Sequence, residues 1–463
     1  MNSARRQTAL VVALLFIALG TVAIGSLGAP LITAVAQDYQ VSLAASQWTL
    51  TITLLSGAVT VPLLGRLGSG HHRRAVVLVT LAVVVAGSVA TVVPGPFALL
   101  LAGRAGQGVG LGLVSLMMAI ARQHLGERAP GAIAMLSVAS TVGIGVGYPV
   151  TGLLTQVGGV RVAYLVGLLT ATAALVAAFV AIPRDQPSPA RTPVDWLGTG
   201  LLSIGLIAVL LVTSETDLWT HQPAVAAALL AGGIVVLAGW VAVERRVRRP
   251  LVDVTALRHP AVARANLIMF VAGVGMYLLF SLITRYVQTP PRAGYGYGLT
   301  ELEAGLVLVP FSVLGFVAGR VVPRLRERVR PLRMLAASGV VVAVAGGLFA
   351  GTRTLGVAWP IVAMSVLGFA VGGFSATMPE AILAVTPTEE TAAAMSVNQI
   401  VRAVGFSIGS AVSGLLLAAY TPAGRFTPAD PGFTAAAWIA AGLAVVSVAL
   451  ASVRVRPARL QRV

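Results

Sequence analysis

Long runs of apolar residues, separated by short polar stretches, repeat along the whole chain. The runs are roughly 20 residues long, the length that a helix needs to cross about 30 Å of hydrocarbon. Glycine and proline inside the runs are no objection, because both are common in membrane helices. The pattern predicts fourteen membrane-spanning helices, at 8–34, 47–67, 75–94, 97–120, 132–155, 162–182, 196–213, 223–243, 264–287, 302–322, 333–351, 356–384, 393–419 and 433–453.

Composition leads to the same class of protein. Of the 463 residues, 57% are hydrophobic and 10% are charged, and the mean hydropathy is +0.91, whereas soluble proteins carry about a quarter charged residues. The first apolar run, in MNSARRQTALVVALLFIALG, continues past the length of a signal-peptide core and is interpreted as an uncleaved first span. The predicted fold class is therefore an all-α integral membrane protein.

The net charge of +17 comes from arginine, since the chain has no lysine. With a cytoplasmic amino terminus, 25 arginines fall on the cytoplasmic side of the predicted spans and 5 on the opposite side. This is the positive-inside pattern. It predicts that both termini are cytoplasmic and that the positive charge meets anionic lipid headgroups rather than nucleic acid. We expect a bacterial inner membrane as the location.

The segment GRLGSGHHRR, 65–74, joins the second and third predicted spans and concentrates Arg66, Arg73 and Arg74. A phosphate-binding loop is excluded, because no strand precedes the glycines and no GK[ST] follows them. Electrostatics alone indicates a cytoplasmic loop that fixes the orientation of the protein in the membrane. A conformational role for the same loop, including Gly65, stays open.

Two stretches of the chain, 103–152 and 365–414, align with each other without gaps. The alignment places glycines on glycines, among them Gly110 on Gly372, Gly143 on Gly405, Gly147 on Gly409 and Gly152 on Gly414. Gly143 and Gly147 have the small-xxx-small spacing that lets two helices approach closely. Internal repeats of this length are typical of transporters.

The repeat predicts the domain organisation, because it relates spans 1–6 to spans 9–14 in the same orientation. Spans 7 and 8 are left over as an insertion. We expect a six-helix bundle at 1–183, a two-helix insertion with linkers at 184–250 and a second six-helix bundle at 251–463. Two parallel bundles that face each other form a transporter architecture rather than that of a receptor or an enzyme.

Six short motifs carry a family resemblance along nearly the whole chain. They are QWTLTITLLSGAVTVPLLGRL at 47–67, GRLGSGHHRR at 65–74, LLAGRAGQG at 100–108, GIGVGYPVTG at 143–152, VDWLG at 194–198 and RRPLVDVTALR at 248–258. In this order they resemble the major facilitator superfamily, specifically its fourteen-span drug:proton antiporter branch. The resemblance implies the fold of that family, with two extra central helices, and export of drug-like compounds in exchange for protons by alternating access.

Three positions depart from the motifs of that family. Ser69 stands where the loop usually has an aspartate, and Thr21 stands where many members carry an aspartate in the first span. Tyr148 precedes Pro149, where the fifth-span motif usually reads Gly-Pro. The expected fold is unaffected. The departures favour the alternative function, an uncoupled facilitator or a metabolite importer of the same fold.

Charged residues deep in the predicted spans are few. A charged side chain at the centre of a bilayer costs about 2.5–3.5 kcal/mol on insertion scales, so each one invites a functional explanation. Arg104 and Arg402 are the deep cations, and Glu380 is the carboxylate well within a span. We expect these three residues to serve proton coupling or cavity electrostatics, a role that the resemblance implies for Arg104. The alternatives are a snorkelling or paired arginine and an interfacial carboxylate paired with a loop arginine.

A roomy, mostly apolar cavity with a few polar groups suits amphipathic, drug-like substrates. The scarcity of deep carboxylates argues against a strongly cation-selective site and favours neutral, weakly anionic or mixed substrates. The predicted substrate-cavity residues are Trp48, Gln107, Tyr148, Asn266, Tyr277 and Asn398, and Arg285 is also considered for substrate contact. The predicted conformational motif consists of Gly65, Arg66, Arg73, Arg74, Gly143, Gly147 and Pro149.

Other classes of function lack their signatures in the sequence. All five histidines lie in predicted loops, no cysteine is present and HExxH is absent, so neither a membrane-embedded enzyme nor a metal site is expected. The chain has no Walker motif for ATP drive. No stretch is long enough for the soluble domain that a sensor would add. We therefore predict a transporter that acts without a cofactor, as a monomer.

Overall fold

The computed structural model describes residues 3–41, 43–68, 72–184, 195–214, 216–247, 260–325, 328–388, 390–422 and 427–453. Within these ranges the secondary structure is helical and contains no strand. The helices are α1 (Ser3–Ser26), α2 (Gly28–Asp38), α3 (Leu43–Leu67), α4 (Arg73–Val92), α5 (Phe97–Gly108), α6 (Leu113–His124), α7 (Ala129–Ala181), α8 (Trp196–Ser214), α9 (Thr216–His221), α10 (Pro223–Glu244), α11 (Pro260–Gln288), α12 (Glu301–Leu325), α13 (Pro331–Thr352), α14 (Ala358–Leu383), α15 (Thr391–Ala419) and α16 (Asp430–Ser452).

Twelve helical segments of the described chain are long and apolar enough to cross a membrane. The apolar part of α8 is shorter and covers Trp196–Val212. Helix α7 contains both the fifth and the sixth predicted spans, and its backbone leaves the helical region at Gly158 and Gly159, where Gly159 has a φ of 69°. The prediction of an all-helical membrane fold is confirmed, while the number of fourteen spans stays a prediction.

The first predicted span, 8–34, is interrupted in the structure, because α1 ends at Ser26 and α2 begins at Gly28. Carbonyl groups at the end of a helix have no partner within that helix. At this break the carbonyl oxygens of Ile24 and Gly25 accept hydrogen bonds of 3.0 and 2.9 Å from the guanidinium of Arg104. The end of α1 is therefore coupled to a buried cation on another helix.

The fourth predicted span, 97–120, is also not one regular helix. A 3₁₀ turn at Val109–Gly112 separates α5 from α6. The last glycine of this turn and the last residue of α5 both lie against α3: a Cβ atom at Gly112 would come within 2.7 Å of the Leu64 side chain, and one at Gly108 would collide with the carbonyl oxygen of Thr53. The glycine-rich turn thus lets this span touch α3 along its backbone.

The helices form two bundles with related packing. In the first bundle α7 packs on α1 and α4, and in the second α15 packs on α11, while α12 and α13 pack on α14. The glycines of the internal repeat occupy matching places. Gly143 of α7 faces Val22 of α1, and Gly405 of α15 faces Phe270 of α11. In both copies, the glycines of the fifth span allow close contact with the first span of the same bundle.

The two bundles meet along two pairs of helices, and the repeat relates one pair to the other. Helix α7 packs on α12, and α3 packs on α15, with further contacts of α6 to α15 and of α7 to α14. Helix α8, from the predicted insertion, packs on α10 and on both α3 and α15. An apolar cluster of Leu202, Leu206, Trp240 and Val397 forms this contact. The α8–α10 pair therefore covers the junction of α3 with α15, and the predicted domain boundary at 250/251 lies outside the described residues.

One rim of this assembly carries a high density of arginines, and we call it the basic rim. In the first bundle it is formed by the end of α3, the start of α4 and the end of α6, with Arg66, Arg73 and Arg122. In the second it is formed by the end of α12 and the start of α13, with Arg324 and Arg333. The other end of the helices is the opposite rim.

Candidate functional site

Arg104 is fully buried in the first bundle and is surrounded by hydrogen-bond acceptors. Besides the two carbonyl groups at the end of α1, its Nε donates to the carbonyl oxygen of Thr49 on α3 at 3.0 Å. Its Nη1 also donates to Oε1 of Gln107 at 2.7 Å. A buried cation is tolerated when such dipoles replace its hydration. Arg104 therefore holds α1, α3 and α5 together through backbone acceptors.

Gln107 extends this network to α4. Its Nε2 donates to Ser88 Oγ at 3.1 Å and to Thr91 Oγ1 at 3.3 Å. On the other side, the ring of Tyr164 in α7 has its centroid 5.9 Å from Cζ of Arg104. The geometry supports the structural interpretation of a paired arginine. The predicted role of Arg104 in proton transfer stays a prediction, as does substrate contact by Gln107.

A second polar group lies between α11 and α15. Asn398 Nδ2 donates to Asn266 Oδ1 at 3.1 Å. Arg402 follows Asn398 by one helical turn, and its Cζ lies 5.8 Å from the ring centroid of Phe406. The Phe406 ring is stacked on Tyr277 with a centroid separation of 5.1 Å. We call Asn266, Tyr277, Asn398, Arg402 and Phe406 the α11–α15 polar surface. The first four were predicted for the site, and Phe406 was not.

The phenylalanines of this region were missed in the sequence, whereas Tyr277 was predicted. Tyr277 also contacts Phe280 at a centroid separation of 5.3 Å, and Phe280 meets Phe311 of α12 at 5.4 Å. Phenylalanines within apolar runs have no signal that distinguishes them from lipid-facing residues. The available signal was the three-residue spacing of Tyr277 and Phe280, which places both on one face of a helix.

Arg122 joins the two bundles at the basic rim. From the end of α6, its Nη2 donates to the carbonyl oxygens of Leu383 at 3.0 Å and Thr386 at 2.8 Å, at the end of α14. Its Nη1 donates to Thr391 Oγ1 at 2.9 Å, at the start of α15. A cation at the carboxyl end of a helix satisfies free carbonyl groups and complements the helix dipole. From the sequence, Arg122 is predicted only to be one of the arginines that set orientation.

Gly65 lies at the second contact between the bundles near this rim. A Cβ atom at Gly65 would be 2.7 Å from Cβ of Ser396, so the absence of a side chain lets α3 touch α15. Ser396 Oγ is 3.1 Å from Ser115 Oγ of α6. Gly65, which the resemblance associated with conformational change, therefore lies where the two bundles touch.

The arginines of the 65–74 loop make contacts within the first bundle. Arg73 Nε donates to the carbonyl oxygen of Gly68 at 2.6 Å, and Arg73 Nη1 donates to Gln123 Oε1 at 2.5 Å. Arg74 Nη2 donates to the carbonyl oxygen of Phe179 at 2.7 Å. Arg66 is partly exposed at the end of α3. These bonds tie the ends of α3, α4, α6 and α7 together, and Ser69 lies outside the described residues.

Glu380 lies in a cavity between the bundles at the basic rim. The cavity has a volume of about 420 Å³, and its lining includes Arg122, Ile133, Val322 and Thr388 as well as Glu380. Glu380 is partly exposed and lies in the last turn of α14. This position agrees with a carboxylate near the membrane interface. Within the part of the chain that the structure describes, no cluster of three or more His, Asp or Glu side chains could hold a metal ion.

The remaining predicted residues are placed apart from these groups. Trp48 is exposed near the start of α3, and Arg285 is exposed near the end of α11, both towards the opposite rim. The side chain of Tyr148 lies outside the described residues. Pro149 is buried within α7. Gly147 packs against Ser26 of α1, so the fifth-span glycines serve contact within the first bundle.

An ion pair at the opposite rim was also missed in the sequence. Arg353, at the end of α13, donates from Nη2 to Asp430 Oδ2 at 2.5 Å and to Thr434 Oγ1 at 2.7 Å, both on α16. Its carbonyl oxygen accepts a hydrogen bond of 2.6 Å from Tyr297. Arg353 is one of the 5 arginines that the sequence places opposite the cytoplasm, and nothing in the sequence relates it to a carboxylate 77 residues away.

Comparison with known proteins points to one family. The family model described as Major Facilitator Superfamily matches residues 9–410. The puromycin resistance protein of Streptomyces alboniger is 28% identical over 437 residues, which cover 90% of this chain and 85% of that protein. The multidrug resistance protein B homolog of Mycobacterium tuberculosis is 26% identical over 398 residues, covering 82% of this chain and 70% of that protein.

Two further comparisons agree. The cephamycin export protein CmcT of Amycolatopsis lactamdurans is 30% identical over 342 residues, covering 71% of this chain and 69% of that protein. The crystal structure of the human organic anion transporter MFSD10 aligns with 98% of this chain and along 100% of its own chain. The TM-score is 0.65 and the identity is 16%, which shows a shared fold. Because the family model matches most of the residues and the helices pack as two related bundles, the chain belongs to the Major Facilitator Superfamily of membrane transporters.

Proposed function

We propose that this protein exports small amphipathic compounds across the bacterial inner membrane by alternating access, driven by proton entry. The observation that carries the proposal is the contact of Arg122 with the end of α14, because it joins the two bundles at the basic rim through hydrogen bonds, which can break and form again. The relatives support the choice of substrates, since they bear the names of antibiotic resistance and export proteins.

We assign the basic rim and both termini to the cytoplasmic side, because arginine-rich segments of membrane proteins lie preferentially on that side. The Arg122 bonds and the Gly65–Ser396 contact then close the cytoplasmic side of the passage between the bundles. Hydrogen bonds to a charged group contribute about 1.5–3 kcal/mol each. A ligand that prefers the other state by a few kcal/mol can shift such an equilibrium. In the proposed cycle these contacts break and form again as the cytoplasmic side opens and closes.

Glu380 is the residue that we propose to carry the proton. It supplies the carboxylate of the cavity beside Arg122, at the rim that has to open and close. The charge on Glu380 changes when it binds a proton, and this change alters the electrostatic field at the Arg122 guanidinium nearby. Proton binding would in this way be coupled to the contact that closes the cytoplasmic side.

One observation favours the second candidate function, an uncoupled facilitator or a metabolite importer. Thr21 is fully buried in α1, and its Oγ1 donates to the carbonyl oxygen of Ile17 at 2.8 Å. This position therefore has no proton-binding side chain of its own, and coupling has to depend on a residue such as Glu380.

The two functions differ in drug accumulation by cells. A host that lacks its own efflux pumps is transformed with the wild type, Glu380→Gln or Arg128→Ala, an exposed arginine of the same rim that serves as the control. We expect wild type and the control to lower accumulation, an uncoupler to abolish the effect, and Glu380→Gln to lose most of it. Unchanged accumulation with wild type would count against export, and efflux that resists the uncoupler would favour the facilitator.

A further inference from the structure

We propose that the α11–α15 polar surface binds compounds that combine a planar aromatic body with an anionic group such as a carboxylate. The inference rests on the proposed function, because it names the substrate class of the passage between the bundles.

The α11 part of the surface faces the space between the helices rather than lipid. Three partly exposed residues share one side of α11. Three helical turns separate Asn266 from Tyr277, and two separate Tyr277 from Thr284. Leu267, which is 48% exposed, lies about 100° further around the helix. Polar side chains at membrane depth face the interior of a bundle or a water-filled cavity. The exposed leucine therefore marks the lipid side, and the polar stripe marks the inner side.

The α15 part of the surface is placed by the contacts of its neighbours. Val397 packs in the apolar cluster with α8, whereas Gly405 and Gly409 pack on the backbone of α11. Arg402 lies near the middle of the 29-residue α15 on a third side, and it is partly exposed. The positive charge of Arg402 thus lies near the middle of the length of α15, beside the face that contacts α11.

The charge distribution selects an anionic ligand. In the second bundle, the carboxylate side chains that the structure describes lie in the first or last turns of helices or next to them, at Glu303, Glu380, Glu390 and Asp430. The middle of the bundle therefore carries the positive charge of Arg402, which repels a cationic compound and attracts an anionic one. The planar fork of a guanidinium matches a carboxylate with two parallel hydrogen bonds.

The aromatic residues select a planar body. Tyr277 and Phe406 are stacked with an interplanar angle of 25°, and both rings are partly exposed. Aromatic rings attract one another at centroid separations of 4.5–7 Å, so a flat compound can extend this stack while its anionic group reaches Arg402. The bonded amides of Asn266 and Asn398 each retain further hydrogen-bonding capacity for polar substituents.

Three compounds with the same ring test the charge preference: 1-naphthoate, 1-naphthamide and 1-naphthylmethylammonium. Binding of each tritiated compound to the purified full-length protein in detergent is measured by scintillation proximity. We expect wild type to bind naphthoate about tenfold more tightly than naphthamide, and the ammonium compound most weakly. Arg402→Gln should bring the affinity for naphthoate to that for naphthamide, while Arg402→Lys retains part of the preference.

Arg320→Gln is the matched control. The Arg320 guanidinium lies 4.9 Å from the ring centroid of Phe316, but both residues are exposed on α12 away from the α11–α15 polar surface, so this variant should bind like wild type. Similar affinity of wild type for all three compounds, or preference for the ammonium compound, would overturn the inference. Failure of all three compounds to bind to wild type would overturn it as well. In these cases the proposed function stands if wild type still lowers drug accumulation in cells and falls if it does not.

Discussion

Arg122 donates a hydrogen bond of 3.0 Å to the carbonyl oxygen of Leu383, across the junction of the two bundles and 261 residues further along the chain. The acceptor is the carbonyl of the last residue of α14, and the donor lies in the last turn of α6. The contact thus connects the ends of two helices that occupy equivalent positions in the repeat. It depends on one side chain, which makes it open to direct test.

Arg122→Ala should shift the protein towards the state in which the basic rim is open, because the carbonyl groups of Leu383 and Thr386 then bind water instead of a cation. The chain has no cysteine, so Glu127→Cys and Thr388→Cys can be spin-labelled without background. We expect a longer mean distance between the labels, measured by pulsed electron spin resonance, in Arg122→Ala than in the parent. An unchanged distance distribution would show that Arg122 does not hold the rim closed.

A side chain at Gly65 should prevent the contact of α3 with α15. Gly65→Val would place atoms where Ser396 lies, so we expect loss of export while the protein still reaches the membrane and unfolds at nearly the wild-type temperature. Gly131→Ala is the matched control at the same rim, since a Cβ atom there meets no atom of the described chain within 4 Å. Normal export by Gly65→Val would contradict a role for this contact in transport.

Arg104→Ala should destabilise the first bundle. The substitution removes the hydrogen bonds of a buried cation to three backbone carbonyl groups and to Gln107, and each hydrogen bond to a charged group contributes about 1.5–3 kcal/mol. We expect a clear fall in Tm in detergent, and little rescue by Arg104→Lys, because an ammonium group cannot reproduce the planar fork. If export were lost while Tm stayed at the wild-type value, Arg104 would serve transport directly rather than structure.

Asp430→Asn should weaken the second bundle at the opposite rim. The Arg353 side chain is 6% exposed and its partner Asp430 is 34% exposed, so removal of the negative charge leaves a mostly buried guanidinium without its carboxylate. We expect a loss of about 1–3 kcal/mol in the free energy of unfolding, which lies in the range for a hydrogen-bonded charge. The double variant Arg353→Gln with Asp430→Asn should recover part of this loss, and a Tm equal to wild type in the single variant would argue against the pair.

Hydropathy was sufficient to predict the class of fold. The cost of exposing polar groups to hydrocarbon acts on every stretch of about 20 residues separately, so the apolar runs could be read without tertiary information. The break at Ser26–Gly28 was not predicted, because the residues on both sides of it are equally apolar. Its carbonyl groups bind Arg104, which lies 80 residues away from Ile24.

The internal repeat predicted which helices are equivalent, and the matching places of Gly143 and Gly405 agree with it. A glycine spacing shows that a close contact is possible but not which helix is the partner. The partners were decided by the packing of each bundle around its own first span.

The sequence alone identified the unusual charges, Arg104, Arg402 and Glu380, since a charge is rare in an apolar run wherever that run lies in space. It did not identify their partners. Arg104 and Arg122 bind backbone carbonyl groups, and every residue has a carbonyl group, so the acceptors have no signature in the order of side chains. Only the folded chain decides which helix ends are free, which faces touch and which arginine reaches them.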